Sequence, residues 1–192
     1  MDTTSLAVGA HQPHLTNEIL TKRIDCRECH KVPRAIEEEG HIDSSWPAEI
    51  SWGELSMMNN RDPDWDRESK TCSNVYCHGS SLSGGFNKIP IWTVVDGSQK
   101  TCGSCHGFPP PSPHPDDTTC ARCHALTIAS DGSIKKPMGN EGWYHIDGVV
   151  QVSTSEGCND CHGSELNAAP PRSVKGEKGS SSISVGAHQM HV

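Results

Sequence analysis

The chain has 192 residues, a formal net charge of −8 and a sequence pI near 5.8. Leu, Ile, Val and Phe together supply only 31 of these residues, about 16%. This lies below the roughly 20% at which a charged chain is expected to be disordered, so a conventional apolar core is excluded. A membrane span is excluded as well, because no apolar run approaches the roughly 18 residues that it needs. Sixteen basic against 24 acidic residues, with no basic stripe, argue against a nucleic-acid partner.

The first predicted element is a short helix over residues 15–24, capped by Thr16 or Asn17, with apolar residues at helical spacing. Residues 32–70 follow and are polar and rich in turns. Acidic side chains alternate near the end of this stretch, as in a calcium-binding loop, but Arg67 occupies the position where an EF-hand requires Gly. We therefore interpret these side chains as a solvated acidic loop, namely Asp62, Asp64, Asp66 and Glu68.

Two strands are predicted further on, over residues 89–95 and 148–153. Between them, Asp117 or Thr118 can cap a short helix that carries residues 120–124. Residues 164–184 are rich in Ser, Gly, Lys and Pro and indicate a flexible linker. No further boundary is apparent, so the chain is predicted to form one domain.

All ten cysteines fall into five pairs, and a His directly follows each pair. Four pairs have the form C-x-x-C-H, which is the attachment signal for c-type haem, and the second pair in chain order has the form C-x-x-x-x-C-H. Two thiols reach the two vinyl groups of one porphyrin, and the next residue presents its imidazole to the iron. The motifs predict five covalently bound haem c groups, attached through Cys26, Cys29, Cys72, Cys77, Cys102, Cys105, Cys120, Cys123, Cys158 and Cys161. The proximal iron ligands would be His30, His78, His106, His124 and His162.

Zinc sites and disulfides are the alternatives for paired cysteines. Zinc does not require a His after every second Cys, and a disulfide across two residues closes a strained ring. Haem is therefore the better interpretation, and the longer loop between Cys72 and Cys77 can bulge and still reach both vinyl groups. Five large apolar macrocycles would replace the missing core. The predicted fold is a multihaem cytochrome c of mostly irregular coil, with short helices and minor β structure around stacked haems.

Seven histidines remain outside the motifs, which is enough to supply a second axial ligand to every iron. They are His11, His14, His41, His114, His145, His188 and His191. Ligation by two His leaves no open iron position and is suited to electron transfer rather than to substrate binding. Met is the other axial ligand available, but the supply of His makes it unnecessary.

The two ends of the chain repeat one sequence. Residues 8–14 and 185–191 match at six of seven positions, both containing Gly-Ala-His-Gln-x-His, at an offset of 177 residues. The chain is thus interpreted as a single pentahaem module over residues 1–192, with residues 185–192 starting the next repeat. One period then contains five motifs and five other His, so ligands and irons balance.

Three of those five distal candidates lie outside the repeated segment. His41 and His145 both occur in the sequence His-Ile-Asp, where the Asp could either accept the ring N–H or order the loop. His114 lies in the Pro-rich run 109–115, a stiff and extended segment that can hold an imidazole at a fixed reach.

These motifs resemble the repeat units of the secreted multihaem c-type cytochromes of metal-reducing bacteria, in which a CxxxxCH motif is followed by CxxCH motifs. The matching stretches are 71–79, 102–110, 161–164, 167–171 and the two repeated ends. The resemblance implies a low-potential electron carrier outside the inner membrane, built of tandem modules or assembled into conductive filaments.

Three functions are compatible with these features. The first is a non-enzymatic electron-transfer module that serves redox proteins or extracellular acceptors. The second is a multihaem reductase, which needs an open haem site that the ligand count does not leave. The third is a filament subunit that meets neighbouring copies or tandem modules through its repeated ends. Thioether attachment of haem occurs on the outer side of the cytoplasmic membrane, so we expect a location that is extracellular, on the outer cell surface or periplasmic. Residues 1–20 show no signal peptide, so we expect a mature form lacking that peptide or an excised module.

Overall fold

The computed structural model of the chain describes residues 2–16, 19–43, 48–112, 114, 116–138, 142–152, 177, 179 and 181–182. Most of these residues lie in turns, bends and irregular coil. Regular structure in this part of the chain consists of one α-helix, one two-stranded sheet and four single turns of 3-10 helix. The predicted coil-rich architecture with short helices and minor β structure is thus confirmed. None of the described helices is long and apolar enough to cross a membrane.

The single α-helix, α1, spans His11–Thr16 rather than the predicted range 15–24, so that prediction is wrong. Pro13 does not prevent the helix, because the first-turn N–H groups have no acceptor within a helix. A six-residue helix is too short to be stable alone, and none of its residues is fully buried. Contacts outside the helix must therefore hold it in place.

The sheet is a small hairpin of β1 (Asp64–Asp66) and β2 (Thr71–Ser73), in which Trp65 lies opposite Cys72. The Asp66 carboxylate accepts hydrogen bonds from the N–H groups of Glu68 and Ser69 and so folds the connecting turn. The alternating carboxylates are exposed, as predicted, but Asp64 and Asp66 lie in strand β1, where alternate side chains share a face, whereas Asp62 and Glu68 lie outside it. This part of the loop prediction is therefore wrong.

Neither predicted strand forms within the described residues. In the range 89–95, only Ile91 pairs, through an isolated bridge to Thr71. Pro90 has no N–H to donate to a neighbouring strand. In this described range, the backbone hydrogen bonds to the hairpin beside it are therefore two: the Cys72 N–H donates to the Pro90 carbonyl, and the Trp92 N–H donates to the Lys70 carbonyl. The range 148–152 is coil and bend.

The chain divides into two compact units. The first comprises Met1–His106 and Ile146–Gly148, and the second comprises Gly107–His145 and Val149–Val192. Within the described residues the buried apolar side chains are Leu55, Pro63 and Val75, all in the first unit. Large apolar side chains such as Phe86 are mostly exposed. The polypeptide therefore builds hardly any core of its own, as its composition predicts. The interpretation of residues 1–192 as one module stays a prediction, and most of the linker 164–184 lies outside the described residues.

Candidate metal centres

The described motifs are wound into tight turns that bring cysteine and histidine together. Single 3-10 turns span Cys26–Glu28, Tyr76–His78 and Cys120–Arg122. In the first and fourth motifs, the N–H of the histidine donates to the carbonyl of the first cysteine at 2.9 Å. The backbone therefore supplies the single turn that the attachment chemistry requires.

Two aspartates fix the start of these turns. The Asp25 carboxylate accepts a hydrogen bond from the Arg27 N–H at 2.9 Å, and the Asp117 carboxylate accepts one from the Thr119 N–H at 2.7 Å. Asp117 and Thr118 were the two predicted caps of the turn at Cys120, and this prediction is wrong, because the cap position belongs to Thr119, whose side chain makes no capping hydrogen bond. The Asp25 bond satisfies an N–H group that a helical turn leaves unpaired, whereas the Asp117 bond lies just before its turn.

Three pairs of imidazole rings face each other, and each pair joins a motif histidine to a histidine outside the motifs. The ring centroids are 6.2 Å apart for His11–His30, 6.3 Å for His14–His78 and 6.1 Å for His114–His124. An imidazole nitrogen lies roughly 2 Å from a bound metal and the ring centre about 1.1 Å further, so two imidazoles on opposite sides of one metal have centroids about 6.3 Å apart. These separations would therefore allow each pair to hold one metal ion between its two rings.

In four of these rings, hydrogen bonding leaves the Nε2 atom free to bind a metal. The Nδ1 atom lies 2.7–3.1 Å from a backbone carbonyl in His11, His14, His30 and His124. A carbonyl only accepts hydrogen bonds, so Nδ1 carries the proton and Nε2 keeps its lone pair. Metal-bound histidines show this arrangement, which fixes the tautomer and the ring orientation.

His78 differs from the other motif histidines. Its Nδ1 atom is buried, and no described residue accepts a hydrogen bond from it. Burial lowers the pKa of His78 to about 4, with a smaller contribution from repulsion by His14, whose own pKa is lowered mainly by burial. Both rings are therefore neutral at pH 7, which is the form that binds a metal.

Part of the chain matches a described protein family. Residues 71–106, which contain the second and third motifs, match the family described as "Geobacter CxxxxCH...CXXCH motif". The chain resembles a multihaem c-type cytochrome repeat. No curated protein and no solved structure matches it.

The residues present fit haem c. The eight described cysteines are all free, and each pair directly precedes an imidazole. Burial raises the pKa of Cys29 to about 11 and those of Cys72 and Cys77 to about 12, so these side chains are neutral thiols at pH 7. Thioether formation adds the S–H of such a thiol across a vinyl double bond. Within the described residues, no three His, Cys, Asp or Glu side chains converge as a multi-ligand metal site would require.

Ser56 connects the first and second haem motifs. Its N–H donates to the Glu28 carboxylate at 3.0 Å, and its hydroxyl donates to the Glu28 carbonyl at 3.2 Å. Its own carbonyl accepts from the Tyr76 N–H at 3.0 Å. Ser56 is only 2% exposed, so this link is shielded from water. The sequence offers no signal for this role.

Two glycines connect the second and third haem motifs. A Cβ atom on Gly79 would lie 1.9 Å from the Cys105 carbonyl oxygen, and one on Gly85 would lie 2.7 Å from the Cys105 carbonyl carbon. Both glycines have a positive φ that other residues rarely adopt. The end of the second motif therefore packs directly on the backbone of the third.

Trp92 holds helix α1, which carries the predicted distal ligands His11 and His14. Its indole lies edge-on to His11 at 4.8 Å and stacks on His14 at 5.7 Å. The indole Nε1 donates to the Leu6 carbonyl at 2.8 Å, and a Cβ atom on Gly9 would lie 1.9 Å from that nitrogen. The Gly of the repeated Gly-Ala-His segment is the one sequence signal that could have indicated a close neighbour here.

The other predicted ligands are placed less completely. His41 is exposed, and its Nδ1 lies 3.1 Å from the Ile36 carbonyl, while the Asp43 carboxylate accepts from the Gly40 N–H at 2.7 Å. Of the two roles considered for this Asp, the structure therefore supports ordering of the loop. The pairing of His41 with an iron stays a prediction, as it does for the half-buried His106 and His145. The fifth motif and the second repeated end lie outside the described residues, and these are Cys158, Cys161, His162, His188 and His191.

Proposed function

We propose that the chain is a non-enzymatic multihaem c-type cytochrome module that passes electrons along a series of five bis-His haems. The observation that carries this proposal is the separation of 6.1–6.3 Å in three ring pairs. Iron held between two such rings would have no position left for a substrate, and it would supply electron transfer by changing between the ferric and ferrous states. Hydrogen bonds from Nδ1 to backbone carbonyls orient four of these rings before any metal is bound.

The positions of the predicted ligands also support a continuous path for electrons. His11 and His14 lie three residues apart on α1, where side chains start about 5–6 Å from each other. They face His30 and His78 respectively, so the first and second irons would be close neighbours. Ser56 and Gly79 then connect the first motif to the second and the second to the third.

The acidic composition supports positively charged redox partners. Haem propionates would add to the formal charge of −8, and such a surface favours cationic redox partners or metal ions. Together with the family match, this favours extracellular electron transfer. An extracellular acceptor or a partner redox protein would then receive the electrons.

Carbon monoxide binding and potentiometry test this function. The haem-loaded, reduced protein is expected to remain low-spin and to bind no carbon monoxide at neutral pH, because every sixth position is filled. Its midpoint potentials should be negative, since two His ligands lack the Met that raises them. Carbon monoxide binding by the unaltered protein would favour the multihaem reductase instead, and mostly positive midpoints would contradict the proposal.

A filament-forming subunit with the same redox chemistry is the second candidate, favoured by the repeated Gly-Ala-His-Gln-x-His segment. The C-terminal copy supplies His188 and His191 beyond the five distal ligands required, and these could serve a neighbouring subunit or a tandem module. Negative-stain electron microscopy of the haem-loaded protein tests this idea. Filaments that disappear in the double variant His188→Ala and His191→Ala would support it, whereas dispersed monomers from the unaltered chain would contradict it.

A further inference from the structure

The second haem site, formed by Cys72, Cys77, His78 and His14, differs from the two other sites with described ring pairs. At the first and fourth sites, the proximal rings of His30 and His124 donate Nδ1–H to carbonyls at 3.1 and 2.8 Å. Such donation increases the basicity of the ring as a ligand. His78 makes no such bond to any described residue, so it is the weakest electron donor of the three proximal rings.

The backbone of the second site is also shielded from water. Val75 directly precedes its 3-10 turn and is 4% exposed, and Ser56, which binds the backbone of that turn, is 2% exposed. By contrast, the first motif opens with the exposed Cys26. Low polarity disfavours the additional positive charge of ferric iron and so raises the reduction potential.

Ring orientation separates this site from the others as well. The planes of His14 and His78 are inclined by 57°, whereas those of His11 and His30 are inclined by 25° and those of His114 and His124 by 12°. Nearly parallel axial rings give low-spin ferric haem a rhombic electron paramagnetic resonance spectrum, and crossed rings move its largest g value upward. An iron bound between His14 and His78 would therefore be recognised by the larger g value in its electron paramagnetic resonance spectrum.

We propose that the second haem site has the least negative potential of the three sites with described ring pairs, so that it is the first of them to hold an electron. This inference rests on the proposed electron-transfer function. It places an electron-storing position between the first and third motifs, whose backbones contact the second through Ser56 and Gly79.

The test is a redox titration of the haem-loaded full chain, followed by electron paramagnetic resonance. His14→Met identifies the signal, because it should abolish the one with the larger g value, and the matched variant His11→Met should leave that signal unchanged. In the unaltered protein this signal should disappear before the rhombic signals of the first and fourth sites as the potential is lowered.

Three results would overturn the proposal: survival of the larger-g signal in His14→Met, its absence from the unaltered protein, or its loss after the rhombic signals. None of these would by itself contradict electron transfer, because a fully low-spin protein with negative midpoints would still support that function. Conversely, carbon monoxide binding by the unaltered reduced protein would contradict the proposed function.

Discussion

Replacement of Trp92 by Ala should detach helix α1, which carries two of the proposed distal ligands. Truncating a fully buried Trp costs roughly 3–5 kcal/mol, so the half-buried Trp92 should contribute about 2 kcal/mol. Loss of the hydrogen bond from its Nε1 to the Leu6 carbonyl adds about 1 kcal/mol. A total of about 3 kcal/mol shifts the equilibrium between docked and detached helix by roughly 150-fold.

Carbon monoxide binding to the reduced, haem-loaded protein measures this shift, because a detached ligand opens the sixth iron position. In Trp92→Ala the first and second sites should bind carbon monoxide, since both His11 and His14 contact the indole. Trp92→Phe keeps an aromatic ring and loses the hydrogen bond, so its effect should be several-fold at most.

Trp143→Ala is the matched control, because Trp143 is also half-buried but belongs to the second unit. It should leave carbon monoxide binding at the first and second sites unchanged. If Trp92→Ala binds no more carbon monoxide than Trp143→Ala, Trp92 does not hold the ligand helix and the reasoning is refuted.

Two further substitutions test the contacts between motifs. Gly79→Ala should strongly lower the melting temperature of the haem-loaded protein. The new Cβ atom would lie 1.9 Å from a backbone oxygen, and this clash adds to the cost of about 1 kcal/mol for placing Ala in a left-handed conformation. Gly132→Ala has a similar positive φ with nothing within 4 Å, so it should show only the strain, and equal losses in both variants would contradict the clash. Ser56→Ala should cost about 1–2 kcal/mol in denaturant unfolding, because it removes a buried hydroxyl that donates to two carbonyls. Ser80→Ala removes a buried hydroxyl that has no hydrogen-bond partner among the described residues, so a loss as large as that of Ser56→Ala would count against this account.

Local chemistry was predictable from the sequence. The paired cysteines with an adjacent His indicate haem attachment without knowledge of the fold, because all three groups lie within one turn of backbone. The low apolar content predicts a coil-rich chain, because composition alone limits how large an apolar core the polypeptide can form. The cap of the turn at Cys120 was not predictable in this way, because Thr119 occupies the cap position and Asp117 accepts the Thr119 N–H just before the turn.

Predictions of regular elements were less successful, because short segments take their structure from distant contacts. The helix forms at His11–Thr16, where Trp92 covers it, and not over residues 15–24, where the apolar spacing is better. The hairpin forms in the acidic stretch because Trp65 and Cys72 pair across it. The apolar range 89–95 contributes only a bridge, because Pro90 interrupts its hydrogen bonding.

The sequence by itself determined which groups can attach haem, how many motifs there are and that enough imidazoles exist to fill both axial positions. Only the tertiary structure decided which imidazoles face each other, because the members of a pair lie as far apart in the chain as His14 and His78. Trp92 and Leu6 likewise meet across 86 residues. Composition and spacing describe only what lies within a few residues, whereas axial ligation joins side chains that the fold brings to opposite sides of one iron.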